Sequence, residues 1–217
     1  MPALSLAAAY LVGAIPVGLI VGRVGYGVDL REHGSGNIGS TNAARVLGSG
    51  AGYLVLAFDM LKGFLIAIAA GAIATGVWAW PPAPVGSEGT LIVAAGIAAV
   101  IGNVFPVYIR FKGGKGVGVG SGVLLAIIPI VMVSLMAVWL VVRAATRYVS
   151  VASLLVATLL PLLIAWRYPK NPAYLVFALF AAVTTVFSHR TNIKRLVTGE
   201  ESRIDDSKAR KGGSEDG

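Results

Sequence analysis

Residues 117–143 read VGVGSGVLLAIIPIVMVSLMAVWLVVR, an apolar run that meets its first charged residue only at Arg143. Comparable runs precede and follow it, separated by short polar segments. A continuous apolar run of this length is typical of transmembrane α-helices, whereas a membrane β-barrel would alternate apolar and polar residues. The sequence therefore predicts an all-α polytopic membrane protein.

The composition agrees with a chain that lies mostly in lipid. Of the 217 residues, 56% are hydrophobic and 13% are charged, against about 25% charged residues in a typical soluble domain. The chain has no cysteine, which excludes disulfide and thiolate chemistry. Its net charge of +8 is spread over short loops and the tail, a pattern typical of the positive-inside rule, so we expect no nucleic-acid partner.

The stretch from 117 to 188 allows two topologies. Division at Pro129 gives four crossings, whereas a single long helix over 117–142 gives three. Four crossings place most cationic loops on one side, as the positive-inside rule favours. The first two are shorter than about 20 residues and must be oblique, locally thinned or partly re-entrant. The predicted crossings are 3–21, 53–78, 90–109, 117–128, 130–143, 149–166 and 173–188.

This topology has seven transmembrane helices, some short or broken, with the N-terminus outside and the C-terminus in the cytoplasm. Residues 1–204 are predicted to form one integral-membrane domain. Residues 205–217 are polar, carry mixed charges and have no apolar period, so we predict a disordered tail.

A first polar segment, residues 34–45, reads GSGNIGSTNAAR. Its glycines permit positive φ and close approach of a ligand. Ser40 to Asn42 are predicted to cap a helix that begins near Ala43, whose N-terminus would favour an anion. Arg45 adds a planar fork that suits phosphate. The segment is interpreted as a phosphate cradle; the alternative is an ordinary flexible loop between two helices.

Two more polar segments are predicted on the same membrane face. The second, residues 110–116, reads RFKGGKG and places three cations among glycines. It is either a positive-inside anchor or a second anion site, and the glycines favour the site. The third, residues 189–196, reads HRTNIKRL. Its His189 is either a neutral-pH general base or a hydrogen-bonded residue at a helix end.

Two residue pairs on helices have similar alternatives. Asp59 and Lys62 share a helix face at i, i+3 and form either a mutual ion pair or a support for the site. Ser150 and Ser153 share the first turn of the sixth crossing. Ser150 is the better candidate for a helix cap, and Ser153 for a ligand donor.

The predicted site combines cations, hydroxyls, amides and one imidazole, and would hold more than one phosphate at the lipid–water boundary. The phosphate-loop pattern with a Gly-Lys-[Ser/Thr] end is absent, and neither histidine is followed by Asp five positions later. No carboxylate cluster suits a pair of metals. We therefore expect no metal and no cofactor, and a substrate that is already activated.

The three polar segments, in this order, resemble those of the acyl-phosphate-dependent glycerol-3-phosphate acyltransferases of bacteria, the PlsY family. Residues 102–106, GNVFP, extend the second of them toward the N-terminus, and Gly199 and Glu201 extend the third toward the C-terminus. The DMLKG sequence at 59–63 and the stretch 150–153 also match family patterns. The likeness covers residues 1 to about 204.

The resemblance implies a seven-helix inner-membrane enzyme. It would move a fatty acyl group from acyl phosphate to the first hydroxyl of sn-glycerol 3-phosphate, giving lysophosphatidic acid and inorganic phosphate. The catalytic candidates are Ser35, Lys115 and His189. The candidate substrate-binding residues are Gly36, Asn37, Gly39, Thr41, Asn42, Arg45, Lys112, Gly113, Gly114, Ser153, Asn192 and Arg195.

Two positions depart from the family pattern. Asn103 stands where the family usually has His, and Gly118-Val119 stands where it usually has Ala-Thr. A catalytic duty for that histidine, or a hydroxyl contact at position 119, does not carry over to this chain.

The expected partners are acyl phosphate, glycerol 3-phosphate, membrane lipid and the soluble enzyme that makes acyl phosphate. The expected location is the bacterial inner membrane, with the active site facing the cytoplasm. The competing function is transport of a phosphorylated solute, but transporters usually have repeated halves that meet at the midplane, and no such repeat is found in this sequence. A purely structural membrane protein would leave the cation–glycine segments unexplained.

Overall fold

The computed structural model describes residues 2–82 and 87–203, and within these ranges the regular structure is entirely helical. The predicted tail at 205–217 lies outside the described residues, and the domain boundary at 204 stays a prediction. The helices are α1 (Pro2–Gly13), α2 (Val17–Ile20), α3 (Ser40–Leu47), α4 (Ser49–Thr75), α5 (Ser87–Val104), α6 (Val117–Ile127), α7 (Pro129–Thr146), α8 (Val149–Arg167), α9 (Pro172–Ser188) and α10 (Arg190–Val197).

The first predicted crossing is interrupted in the middle. Helix α1 ends at Gly13, and the chain becomes helical again only at Val17, after Pro16 with φ −84° and ψ 72°. A π-helical turn, Val21–Gly25, then continues α2. Proline has no N–H to donate and its ring crowds the preceding turn, so Pro16 breaks the helix completely.

Glycine contacts set the spacing of the central helices. A side chain at Gly63 of α4 would collide with the Val119 carbonyl of α6, and one at Gly122 of α6 would collide with the Met60 carbonyl of α4. Gly13 of α1 faces the Ala99 carbonyl of α5 in the same way. Small residues are the usual means by which membrane helices bring their backbones together, since lipid supplies no hydrophobic driving force between them.

The division at Pro129 is confirmed. Helix α6 ends at Ile127, Ile128 is non-helical (φ −143°, ψ 67°), and Pro129 begins α7. A single helix over 117–142 is therefore wrong. Pro129 starts a helix readily because its missing N–H would have had no intrahelical partner there.

All seven predicted crossings correspond to helices, and the prediction of a multi-span helical membrane protein is confirmed. Within the described residues, five helices are long and apolar enough to cross a membrane, and a sixth span results if α9 and α10 count together across their 56° bend. Helix α6 is apolar but shorter, with 11 residues. The count of seven and the sides of the termini stay predictions.

Candidate active site

The first polar segment is held from within by Asn42, whose side chain is 2% exposed. The Asn42 Oδ1 accepts a hydrogen bond from the Ser35 N–H at 2.9 Å. Its Nδ2 donates to the Leu30 and His33 carbonyls at 3.1 and 3.0 Å. These bonds engage both ends of the amide, so Asn42 shapes the segment around the predicted cradle.

Helix α3 begins at Ser40, with Gly39 as its N-cap and no side-chain cap. The prediction of a start near Ala43, capped by Ser40 to Asn42, is therefore wrong by one turn. The physical reason is that the Asn42 side chain points back to residues 30–35. Instead, the Asn37 Oδ1 accepts from the Gly39 N–H at 2.8 Å and turns the chain into the helix.

The second polar segment is shaped by Asn103 at the end of α5. The Asn103 Oδ1 accepts from the Gly116 N–H at 3.1 Å, and its carbonyl accepts from the Gly114 N–H at 2.9 Å. A side chain at Gly113 would collide with that same carbonyl. The glycines of this segment therefore allow close packing against α5, and Asn103, which is 7% exposed, is a structural hydrogen-bonding residue.

The first and second polar segments touch each other. The Asn37 Nδ2 donates to the Gly113 carbonyl at 3.4 Å, across 76 positions of sequence. Asn37 therefore both starts α3 and contacts the segment that carries Lys115. Two of the predicted substrate-binding residues are thus joined by a direct contact.

Hydrogen bonds that centre on one carboxylate join the second and third polar segments. The Lys115 Nζ donates to the Asn192 Oδ1 at 2.6 Å, and the Asn192 Nδ2 donates to the Glu201 Oε1 at 2.6 Å. Glu201 also accepts from the Ser150 hydroxyl at 2.7 Å and pairs with the Arg195 Nε at 2.8 Å. We call Lys115, Ser150, Asn192, Arg195 and Glu201 the Glu201 network.

The predicted site residues do not include Glu201, although the family resemblance extends the third segment to it. The helical period of residues 190–197 ends before it, and Gly199 (φ +75°) then reverses the chain so that Glu201 returns to Asn192 and Arg195. Burial opposes ionisation of Glu201. The hydrogen bonds from Asn192, Arg195 and Ser150 outweigh it and keep the pKa of the carboxyl below its usual value.

Three cations share one electrostatic environment. Burial lowers the pKa of Lys115 to about 8; Glu201 opposes this shift, whereas Arg195 and Arg45 add to it. Each of the three polar segments therefore supplies one interacting cation. Cations that gather in one place favour the binding of an anion.

His189 lies at the bend between α9 and α10 and is 2% exposed. Its Nδ1 lies 2.8 Å from the Thr185 carbonyl oxygen. Because that oxygen can only accept, Nδ1 carries the proton and Nε2 keeps its lone pair. Burial, with the nearby Lys115 charge, lowers the pKa of His189 to about 4. The imidazole is therefore neutral at pH 7.

The remaining predicted site residues include exposed side chains, a glycine turn and one buried hydroxyl. The side chains of Ser35, Thr41 and Lys112 are exposed. Gly36 adopts a left-handed turn with φ +69°. The buried Ser153 hydroxyl accepts from the Trp139 Nε1 at 3.1 Å, which places it between α7 and α8. These residues are not members of the Glu201 network.

The family model described as glycerol-3-phosphate acyltransferase matches residues 3–199. The chain belongs to this family. The resemblance seen in the three polar segments is thereby confirmed, and it extends over the whole helical part of the chain.

Curated family members match at nearly full length. A glycerol-3-phosphate acyltransferase of Bacillus velezensis is 42% identical over 202 residues, covering 93% of this chain and 97% of the relative. One of Chlorobium phaeobacteroides is 40% identical over 228 residues, covering 92% of this chain and 94% of the relative.

Two crystal structures of a family member have the same fold. PlsY (YgiH), an integral membrane glycerol 3-phosphate acyltransferase, matches in its glycerol 3-phosphate form with a TM-score of 0.81 and 37% identity, over 94% of this chain and 95% of that chain. Its lysophosphatidic acid form matches with a TM-score of 0.80 and 35% identity, over 93% and 94%.

Proposed function

We propose that the chain transfers a fatty acyl group from acyl phosphate to the 1-hydroxyl of sn-glycerol 3-phosphate. The observation that carries the proposal is the joining of Lys115 to Arg195 through Asn192 and Glu201, with Arg45 near enough to act on Lys115. Family membership supports glycerol 3-phosphate as the acceptor, because the related crystal structure holds it. The acyl phosphate donor and the lysophosphatidic acid product are further parts of the same proposal.

In the proposed reaction, the 1-hydroxyl oxygen of glycerol 3-phosphate attacks the acyl carbonyl carbon. A new ester C–O bond forms, the bond from that carbon to the phosphate oxygen breaks, and inorganic phosphate leaves. Phosphate is a good leaving group, so positioning and anion stabilisation matter more than a strong base. Lys115 and Arg45 bind phosphate oxygens and stabilise the charge that develops there.

We propose that a substrate phosphate takes the hydroxyl proton. A neutral His189 with its Nε2 free of a proton could hold the hydroxyl by accepting its hydrogen bond. Its low pKa makes it a weak base. Ser35, with an exposed side chain at the first polar segment, is proposed to orient the acceptor.

The donor is tested with purified protein in detergent. Acyl phosphate plus glycerol 3-phosphate should release inorganic phosphate and form lysophosphatidic acid, also in EDTA, while acyl-CoA and acyl carrier protein should be poor donors. Equal turnover with acyl-CoA, or loss of activity in EDTA, contradicts the proposal. Uptake of labelled glycerol 3-phosphate into sealed vesicles without acylation would instead support a transporter.

We further propose an inner-membrane location, a site that faces the cytoplasm and delivery of acyl phosphate by the soluble enzyme that makes it. Because the chain has no cysteine, single cysteine probes report cleanly. Ala79→Cys, in the loop between α4 and α5, should react with an impermeant maleimide in intact cells, whereas Ser202→Cys should react only after lysis. Labelling of Ser202→Cys in intact cells contradicts this orientation.

A further inference from the structure

An ion pair is buried inside α4, away from the Glu201 network. The Lys62 Nζ lies 2.8 Å from the Asp59 Oδ1, so the two residues form the mutual ion pair that is one of the two alternatives for them. Lys62 is 7% exposed. Its Nζ also donates to the Ile15 carbonyl at 2.9 Å, across 47 positions of sequence. Charged residues in apolar membrane helices are costly and usually have a function.

The Ile15 carbonyl belongs to the break between α1 and α2. It accepts from the Val17 N–H at 3.0 Å as well as from Lys62. Pro16 removes a backbone donor there, and in lipid a broken helix persists only where other groups satisfy its carbonyls. The hydrogen bond from Lys62 therefore connects the break of the first crossing to α4.

The break in turn locates the first polar segment. Immediately after it, the backbone of Gly18 packs so closely on the Ile38 carbonyl that a side chain at Gly18 would collide with that oxygen. Ile38 is 5% exposed and lies between Asn37 and Gly39. A shift of the break would move the residues that turn the chain into α3, on which Arg45 lies.

The same ion pair also borders the start of α6. A side chain at Gly118, three residues after Lys115, would lie 2.8 Å from the Asp59 Cβ. The pair thus lies between the support of the first polar segment and the helix that follows the second.

We propose that Lys62 is a positioning residue, which holds the α1–α2 break and thereby places Arg45 opposite Lys115. The inference rests on the proposed function, since it concerns the phosphate site of the acyl transfer. Lys62 acts through Ile15 and Gly18 and does not touch the substrate.

Three variants separate positioning from stability: Lys62→Met, Asp59→Asn and the double variant. Each single variant removes one charge of the ion pair and leaves the other charge buried without its partner. The midpoint of thermal unfolding should therefore fall in both. In Asp59→Asn the amine still donates to Ile15, and the KM for glycerol 3-phosphate should stay within about twofold. In Lys62→Met that donor is lost, and the KM should rise at least about tenfold, as expected for a misplaced binding group.

The double variant decides the question. It removes both charges, so the thermal midpoint should recover toward wild type, while the KM stays raised because the Ile15 carbonyl still lacks the hydrogen bond from Lys62. Recovery of both the midpoint and the KM would overturn the proposal and leave Lys62 a purely structural residue. A folded Lys62→Met with the wild-type KM would also overturn it. Wild-type protein that forms no lysophosphatidic acid would instead contradict the proposed function.

Discussion

Asp29 and Glu201 are both acids surrounded by cations, and they use them differently. Asp29 pairs directly with Arg23 at 2.7 Å and Arg31 at 2.6 Å, whose side chains are 56% and 38% exposed. Hydrogen bonds from Arg31 hold the pKa of the Asp29 carboxyl well below its usual range. Both guanidiniums, which are exposed to water, are thus paired with one carboxylate.

Glu201 pairs directly with Arg195. It also accepts hydrogen bonds from the neutral side chains of Ser150 and Asn192, and Asn192 links it to Lys115. An ammonium has three N–H donors, so Lys115 can keep Asn192 and still bind phosphate. The difference teaches that an acid can orient a cation without neutralising it when amides and hydroxyls lie between them.

The largest effect is expected at Lys115. Lys115→Ala should lower kcat/KM by on the order of 10²–10³, as is typical for loss of one preorganised donor to developing charge. Lys115→Arg should also fail substantially, because a planar fork cannot replace a compact ammonium beside Asn192. Steady-state kinetics with a thermal-melt control tests this. Near-wild-type kinetics for Lys115→Ala, or inactivity due to unfolding alone, would make this cation a membrane anchor.

The second-largest effect is expected at Glu201, and Asp29 is the acid with which it is compared. Glu201→Gln keeps acceptors for Ser150 and Asn192 but loses the charge that orients Arg195, so kcat/KM should fall about tenfold through misplacement, with a lower thermal midpoint. Asp29→Asn is the matched control and should retain wild-type kinetics and midpoint, since both of its arginine partners are exposed to water and such ion pairs contribute little. Equal losses in the two variants would remove the distinction between the clusters.

A smaller effect is expected from pH. Lys115 is cationic below its pKa of about 8 and loses its charge as the pH rises through that value. The kcat/KM for glycerol 3-phosphate reflects the protonation state of the free enzyme. It should therefore fall about twofold at pH 8 and about fourfold at about pH 8.5. The fall should persist in Asp29→Asn and be absent in the residual activity of Lys115→Arg. A flat profile from pH 7 to 9 contradicts a titrating Lys115.

The smallest effect is expected at Asn103. An imidazole nitrogen can accept the Gly116 N–H as the Asn103 Oδ1 does, so Asn103→His should leave kcat within a few-fold. The comparison is made at saturating substrates, with the melting curve as the control. A large rise in kcat would mean that the family histidine does chemistry that this chain lacks.

Much of the fold follows from the sequence because lipid imposes a simple rule. A backbone in hydrocarbon must satisfy its own hydrogen bonds, so apolar runs predict helices, and Pro16 and Pro129 predict their interruptions. The i, i+3 spacing likewise predicts the Asp59–Lys62 pair. Each of these depends on local geometry alone.

The interior of the site depends on contacts distant in sequence. That Asn42 turns back to Leu30 and His33, and so shifts the start of α3, follows from the fold of the preceding loop. The meeting of Ser150 with Glu201, 51 positions apart, depends on how α8 packs beside the end of α10. Neither a helical period nor residue spacing carries that information.

The shortness of α6 also bears on how deep the proposed reaction centre lies. Eleven residues at about 1.5 Å of rise each span about 16 Å, roughly half of a hydrocarbon layer about 30 Å thick. Where α6 crosses that layer and its far end reaches one boundary, the polar residues before Gly116 would form a water-accessible depression at the other boundary, with Lys115 in contact with water. A water-soluble acceptor would then descend below the headgroups, and the lipid tail of the donor would never need to leave the bilayer to meet it.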